Sequence, residues 1–105
     1  MNGLSNPSPR THTRLANSAT VGILQCSRCR WIDRGTTFGN PYYIGPNGTR
    51  EEVILQYREW FQRRMQVDRQ FEKDVRKLAG KILVCWCYPQ PCHGDVIIEW
   101  LEENV

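Results

Sequence analysis

Apolar positions along this chain follow three patterns, and each predicts a kind of element. From Thr49 onward, Val53, Ile54, Tyr57, Trp60, Phe61 and Met65 recur three or four residues apart, as on one face of an α-helix. Thr49 and Glu52 frame its start as a capping box: the threonine hydroxyl can accept from the N–H three residues on, and the glutamate can reach back to the threonine N–H. Asp68 can cap a second helix, in which Phe71, Val75 and Leu78 share a face and Gly80 supplies the stop. The polar stretch 63–69 between them is expected to kink. Lys81 to Cys87 reads KILVCWC, apolar on both alternate sets and bounded by Gly80 and Pro89, which suits a central strand covered on both faces. After a proline-stiffened turn at 88–91, His93, Gly94 and Asp95 lead into Val96, Ile97, Ile98, Trp100 and Leu101, a short apolar helix ended by Glu102 and Glu103.

The first part of the chain reads differently. Residues 1–19 have almost no apolar periodicity and are expected to form a disordered arm, leaving 20–105 as one domain. Val21 to Cys26 is β-compatible and expected to open the sheet, with Cys29 and Trp31 following in a turn or short strand. Residues 34–49 hold four glycines and two prolines in sixteen positions, too many turn formers for a helix. The order is strand, loop, helix, helix, strand, turn, helix. Helices separating strands predict a small α/β domain, its short, partly parallel sheet flanked by about three helices, with a right-handed crossover.

With 105 residues the chain has room for one small domain and not for a multidomain enzyme. Fourteen Lys plus Arg against eleven Asp plus Glu give a formal charge of +3, too small to argue for nucleic acid by itself. No apolar run approaches the 18 or so residues of a membrane span, and the first 19 residues lack a signal peptide's apolar centre. The expectation is a soluble cytoplasmic protein with no membrane partner.

Chemistry enters with five cysteines, an odd number in two tight groups, read as thiols or metal ligands and not as a disulfide framework. In the segment CWCYPQPCHGD, strand alternation puts Cys85 and Cys87 on one face and Trp86 on the other. The following turn returns Cys92 and His93 to the carboxyl end of the strand, where open α/β sheets keep their sites. A helix N-terminus there would favour a Cys92 thiolate. Three readings are open. Cys85, Cys87, Cys92 and His93 are the right ligand types for zinc, with Cys26 and Cys29 as a further pair, although the spacing is not that of a standard finger. Alternatively, Cys92 is a nucleophile with His93 as base and Asp95 as its orienter. In the third reading the cysteines are small core residues and His93 to Asp95 only cap a helix.

The loop RGTTFGNPYYIGPNGTR, 34–50, has the vocabulary of a nucleotide site. Gly35 and Gly39 let backbone approach a ligand, Asn40 and Thr49 offer directional hydrogen bonds, Arg34 and Arg50 can pair with phosphate, and Phe38 and Tyr42 can stack on a ring. It leads into a capped helix start, where anions bind. It matches neither the P-loop nor the dinucleotide fingerprint, and an equal alternative is a self-packed Ω-loop. Arg58, Arg63, Arg64, Arg69, Arg76 and Lys77 could meet nucleic-acid backbone, yet Glu51, Glu52, Glu59, Glu72 and Asp74 alternate with them as on an ordinary solvated face.

Taken together, RGTTFGNPYYIGPNGTREEVILQYREWF and GKILVCWCYPQPCHGDVIIEWL resemble a family of small bacterial and phage proteins known as domain of unknown function 4326. The likeness covers roughly 30–103. It pairs an R-G-x-x-[FW]-G-N-P loop with a C-W-C-x-x-x-x-C-H-G-D segment, so Arg34, Gly35, Gly39, Asn40, Pro41, Cys85, Cys87, Cys92, His93, Gly94 and Asp95 stand at matching positions. The resemblance implies a phage or bacterial cytosolic setting and no particular activity.

If the loop and the cysteine segment flank one sheet edge, they form a single pocket for a nucleotide-like or other anionic ligand. Arg34, Asn40 and the helix start would hold it, while Cys92, His93 and Asp95 act on it or shape the site. The competing expectation is a zinc-stapled module that docks on a host protein or on nucleic acid.

Overall fold

A computed structural model describes residues 11–17, 27–86 and 90–105. In chain order the elements are β1 (Arg14–Asn17), β2 (Cys29–Trp31), α1 (Arg50–Val67), α2 (Arg69–Arg76), β3 (Ile82–Cys85) and α3 (His93–Asn104). The strands form one sheet in the order β1-β3-β2, with both pairings parallel. This is the small α/β domain with a parallel sheet that the alternation of strands and helices predicts.

The helices start and stop where local chemistry says they should. Glu52 N–H donates to Thr49 Oγ1 at 3.2 Å and Thr49 N–H to Glu52 Oε1 at 2.8 Å, so the capping box forms in full. Val53, Tyr57 and Phe61, four apart, are the buried row of α1. The expected kink is a complete break. Asp68 is extended (φ −119°, ψ 95°), its N–H still donates to the Arg64 carbonyl, and its Oδ1 accepts from Phe71 N–H at 3.0 Å. One residue thus ends α1 and caps α2. That role holds the Asp68 carboxyl below its ordinary range, through the Phe71 N–H first and Arg64 further down. Gly80, at φ +79°, turns the chain into β3 through the left-handed region.

All four residues of β3 are buried. Leu83 and Cys85 join the core that Tyr57, Phe61, Phe71, Val75, Ile97 and Leu101 form, whereas Ile82 and Val84 have the opposite parity. Against the expectation of a disordered arm through residue 19, Arg14–Asn17 is a strand with Leu15 and Ala16 buried. Its polar sequence conceals a partner far along the chain: Leu15 lies opposite Leu83 and Ala16 opposite Val84. The strand expected at 21–26 lies outside the described residues, as do 1–10 and 18–19.

Candidate functional site

Ile32 and Asp33 leave the carboxyl end of β2, Trp86 leaves that of β3, and α3 starts beside them. Between these ends and the glycine-rich loop lies a cleft of about 290 Å³, lined by Arg34, Gly35, Asn40 and Arg50 from the loop and by Cys85, Trp86, Pro91, Cys92 and His93 from the cysteine segment. Asp33, Ile44, Val53 and Ile54 complete its wall. The loop and the cysteine segment therefore meet at one sheet edge, the usual location of a site in an open parallel sheet.

Within the loop, side chains divide by task. Arg34 donates to the Asn40 carbonyl, and its guanidinium lies 4.0 Å from the centroid of the Tyr43 ring. Arg50 donates to the Pro91 carbonyl at 3.1 Å, tying the loop's end to the cysteine segment. Asn40 is 6 % exposed and spent internally: its amide donates to the Val53 carbonyl at 3.3 Å and its oxygen accepts from Tyr42 N–H at 2.9 Å. Expected as a ligand group, it is instead the pin between loop and α1. Thr49 and the start of α1 are likewise occupied by the capping box. Gly39 is absent from the cleft wall; a Cβ there would come within 2.5 Å of the Asp33 carbonyl oxygen, so it permits a close backbone crossing. Phe38 packs inward, 6.1 Å from Phe71, and is no stacking surface for a ligand.

In the cysteine segment, Cys92 is the N-cap of α3: its sulfur accepts from Gly94 N–H at 3.3 Å while Asp95 Oδ2 accepts from Cys92 N–H at 3.0 Å. Gly94 presses the helix onto the sheet, since a Cβ would lie 2.4 Å from Leu15 Cδ2 and 2.9 Å from Ile32 Cδ1. His93 is buried; its Nε2 donates to the Ile32 carbonyl at 2.5 Å, because a carbonyl can only accept, and its ring meets Tyr57 edge-on. Burial first, with Arg34 nearby, holds its basicity below the ordinary histidine value despite that bond, so the imidazole is neutral.

These contacts bear directly on the expected triad. Asp95 binds the Cys92 backbone and His93 binds Ile32, so the structure assembles neither an Asp95–His93 nor a His93–Cys92 relay. Nor does the helix start make Cys92 a thiolate. The hydrogen-bonded Cys85 thiol, 3.5 Å away, and then burial push the Cys92 thiol up, outweighing the Gly94 N–H.

Among the expected zinc ligands, Cys85 and Cys92 come together, His93 Nε2 is engaged elsewhere, and Cys87 and Cys26 lie outside the described residues. No group of three or more metal-ligating side chains occurs among the described residues. Cys29 is disulfide-bonded, which corrects the reading of all five cysteines as thiols or ligands: a bonded sulfur offers no thiolate. Of the helix arginines, Arg58 pairs with Glu99, Arg64 with Asp68 and Arg76 with Glu72, and Arg64 and Arg76 also lie over the Phe71 and Trp100 rings. No helix among the described residues is long and apolar enough to cross a membrane.

Sequence reasoning missed Asp33, Ile44, Val53, Ile54, Trp86 and Pro91 as cleft residues. The KILVCWC alternation puts Trp86 inside the strand, but β3 ends at Cys85 and Trp86 is 67 % exposed, with its indole nitrogen 3.4 Å from Asp33 Oδ2. The proline two residues beyond the KILVCWC run was the available signal for an early strand end.

An uncharacterised 12.4 kDa protein from the nrdA-td intergenic region of Enterobacteria phage T4 is 40 % identical over 67 residues, a match spanning 63 % of this chain and 60 % of that protein. No solved structure matches the chain. The family profile described as a domain of unknown function (DUF4326) matches residues 17–103, which include the loop, the cysteine segment and every element from β2 to β3, and the chain belongs to that family.

Proposed function

We propose that the cleft binds a small nucleotide-like anion, an organic group with a flat apolar part and a phosphate or carboxylate. The observation that carries this reading is the pairing of two guanidinium groups, Arg34 and Arg50, with apolar walls from Ile44, Val53, Ile54 and Trp86 in one cleft at the carboxyl edge of a parallel sheet. One carbonyl takes one donor from each arginine, and neither is ion-paired among the described residues, so each retains donors for an anion. The volume, about 290 Å³, is near the lower end of small-molecule sites. Cys92, His93 and Asp95 shape this site instead of reacting in it, since each is committed to the start of α3 or to Ile32. The phage relative supports a setting in bacterial cytoplasm.

Calorimetric titration with adenosine and thymidine 5′-monophosphate, with the nucleosides and inorganic phosphate as comparators, tests the reading. The monophosphates should bind, and Arg50→Gln should weaken them about tenfold or more, because a hydrogen bond to a charged group contributes roughly 1.5–3 kcal/mol. No heat at millimolar nucleotide, or equal affinity in Arg34→Gln and Arg50→Gln, refutes it.

One distance favours a second reading, a zinc-stapled module docking on a host protein or nucleic acid. The Cys85 and Cys92 sulfurs are 3.5 Å apart, close to the roughly 3.8 Å between two thiolates on a tetrahedral zinc. About one zinc per purified chain, with both thiols becoming reactive on chelation, would support it; a metal-free, folded protein would not.

A further inference from the structure

We propose that the mouth of the cleft is a stacking platform for single-stranded nucleic acid, with one nucleotide of the strand in the cleft and its neighbours on the rings outside. This rests on the reading of the cleft just given and names the class of ligand. Among the described residues six large hydrophobic side chains are exposed; Ile44 (49 %) and Trp86 (67 %) line this opening, and Tyr43 (55 %) adjoins it through the Arg34 guanidinium over its ring. Their arrangement is braced. The Trp31 ring stands 6.3 Å from that of Trp86, tilted by 41°, and the Trp86 indole N–H points to Asp33 Oδ2. The Arg34 guanidinium lies over the Tyr43 ring, a flat cationic surface on which a base can stack.

Size separates a strand from a mononucleotide. A cleft of about 290 Å³ accepts one nucleotide-sized group, whereas the aromatic surface continues past it; a lone nucleotide would leave the outer face of Trp86 in water. Charge separates nucleic acid from a protein partner. Two cations, Arg34 and Arg50, stand against one acid, Asp33, in the lining of the cleft, so the opening carries a net positive charge. Exposed rings interleaved with arginines are how proteins hold single strands: bases stack and phosphates pair.

The test is a titration, read by tryptophan fluorescence and by anisotropy of end-labelled strands, with thymidine 5′-monophosphate, a dT decamer, an rU decamer and a DNA duplex of equal length. A single-stranded decamer should bind at least about tenfold tighter than the mononucleotide, the larger affinity of the two naming the sugar, and should weaken as salt rises. Trp86→Ala, a change at an exposed position, should remove most of the gain of decamer over mononucleotide. If the monophosphate binds but the decamer is no tighter, or Trp86→Ala keeps the full gain, the inference falls and the cleft reading stands. If nothing binds, both fall. Tighter binding of duplex overturns the inference, as does a dimer, seen by sedimentation, that Trp86→Ala dissolves without any strand binding.

Discussion

Gly94→Ala is the most demanding check on the packing that builds this site. A β-carbon at position 94 would fall 2.4 Å from Leu15 Cδ2 and 2.9 Å from Ile32 Cδ1, well inside ordinary contact. Both neighbours are side-chain ends held in a filled core, with Leu15 on β1 and Ile32 fully buried. Forcing a methyl into such a core costs about 1–3 kcal/mol. Alanine's better helix propensity offsets at most about 1 kcal/mol of this, and less in the first turn. The net loss should be roughly 1–2 kcal/mol, or about 5–15 °C in Tm for a domain of this size. Thermal and urea unfolding measure it, with Gly35→Ala as the internal control: the nearest atom to a Cβ there is Asp33 Oδ1 at 3.6 Å, so its change should stay within about 0.5 kcal/mol. In the double variant with Leu15→Ala, removing the isopropyl end of the leucine makes room, and the combined loss should be smaller than the sum of the two separate losses. A Gly94→Ala protein as stable as the parent, or strictly additive losses, would show that α3 does not sit on the sheet as described.

Two further predictions concern caps and protons. Thr49→Ala should lower stability by about 1 kcal/mol in urea unfolding, since Glu52 N–H loses its acceptor, while Thr37→Ala in the loop should change little. His93 is kept neutral by burial, so its folded-state pKa lies below the unfolded value near 6.5; the unfolded chain takes up the proton first. Its contribution is fully present above about pH 6.5 and is lost as pH falls below that toward the folded value. Urea midpoints at pH 7.5 and 5.5 should therefore differ more in the parent than in His93→Asn, and equal pH slopes would refute the assignment.

Features set by short-range forces are legible in the sequence, and those set by long-range contacts are not. Helix caps act across three or four residues, so Thr49 with Glu52, and Asp68 with Phe71, could be read directly from local sequence. The same holds for β3, whose apolar run has no polar side to present to water. The two motif segments also place the chain in its family, and the helix-cap reading of the cysteine segment describes what Cys92 and Asp95 do.

Long-range contacts settled the rest. Arg14–Asn17 looks like an arm because its neighbours in sequence are polar; its strand exists through pairing with β3, a partner no local pattern identifies. Cys92, His93 and Asp95 have the residue types of a relay, and only the Ile32 carbonyl, the Cys85 sulfur and the Cys92 N–H decide otherwise. Asn40 has the donors and acceptors of a ligand group, and the nearness of Val53 and Tyr42 turns them inward. By itself the sequence determined the helix caps, the buried run of β3 and the two motif segments that mark the family. The tertiary structure decided that those two segments share one cleft and which of their polar groups still face it, because hydrogen-bond partners are assigned by distance in space and residue type sets only what each group is able to bond.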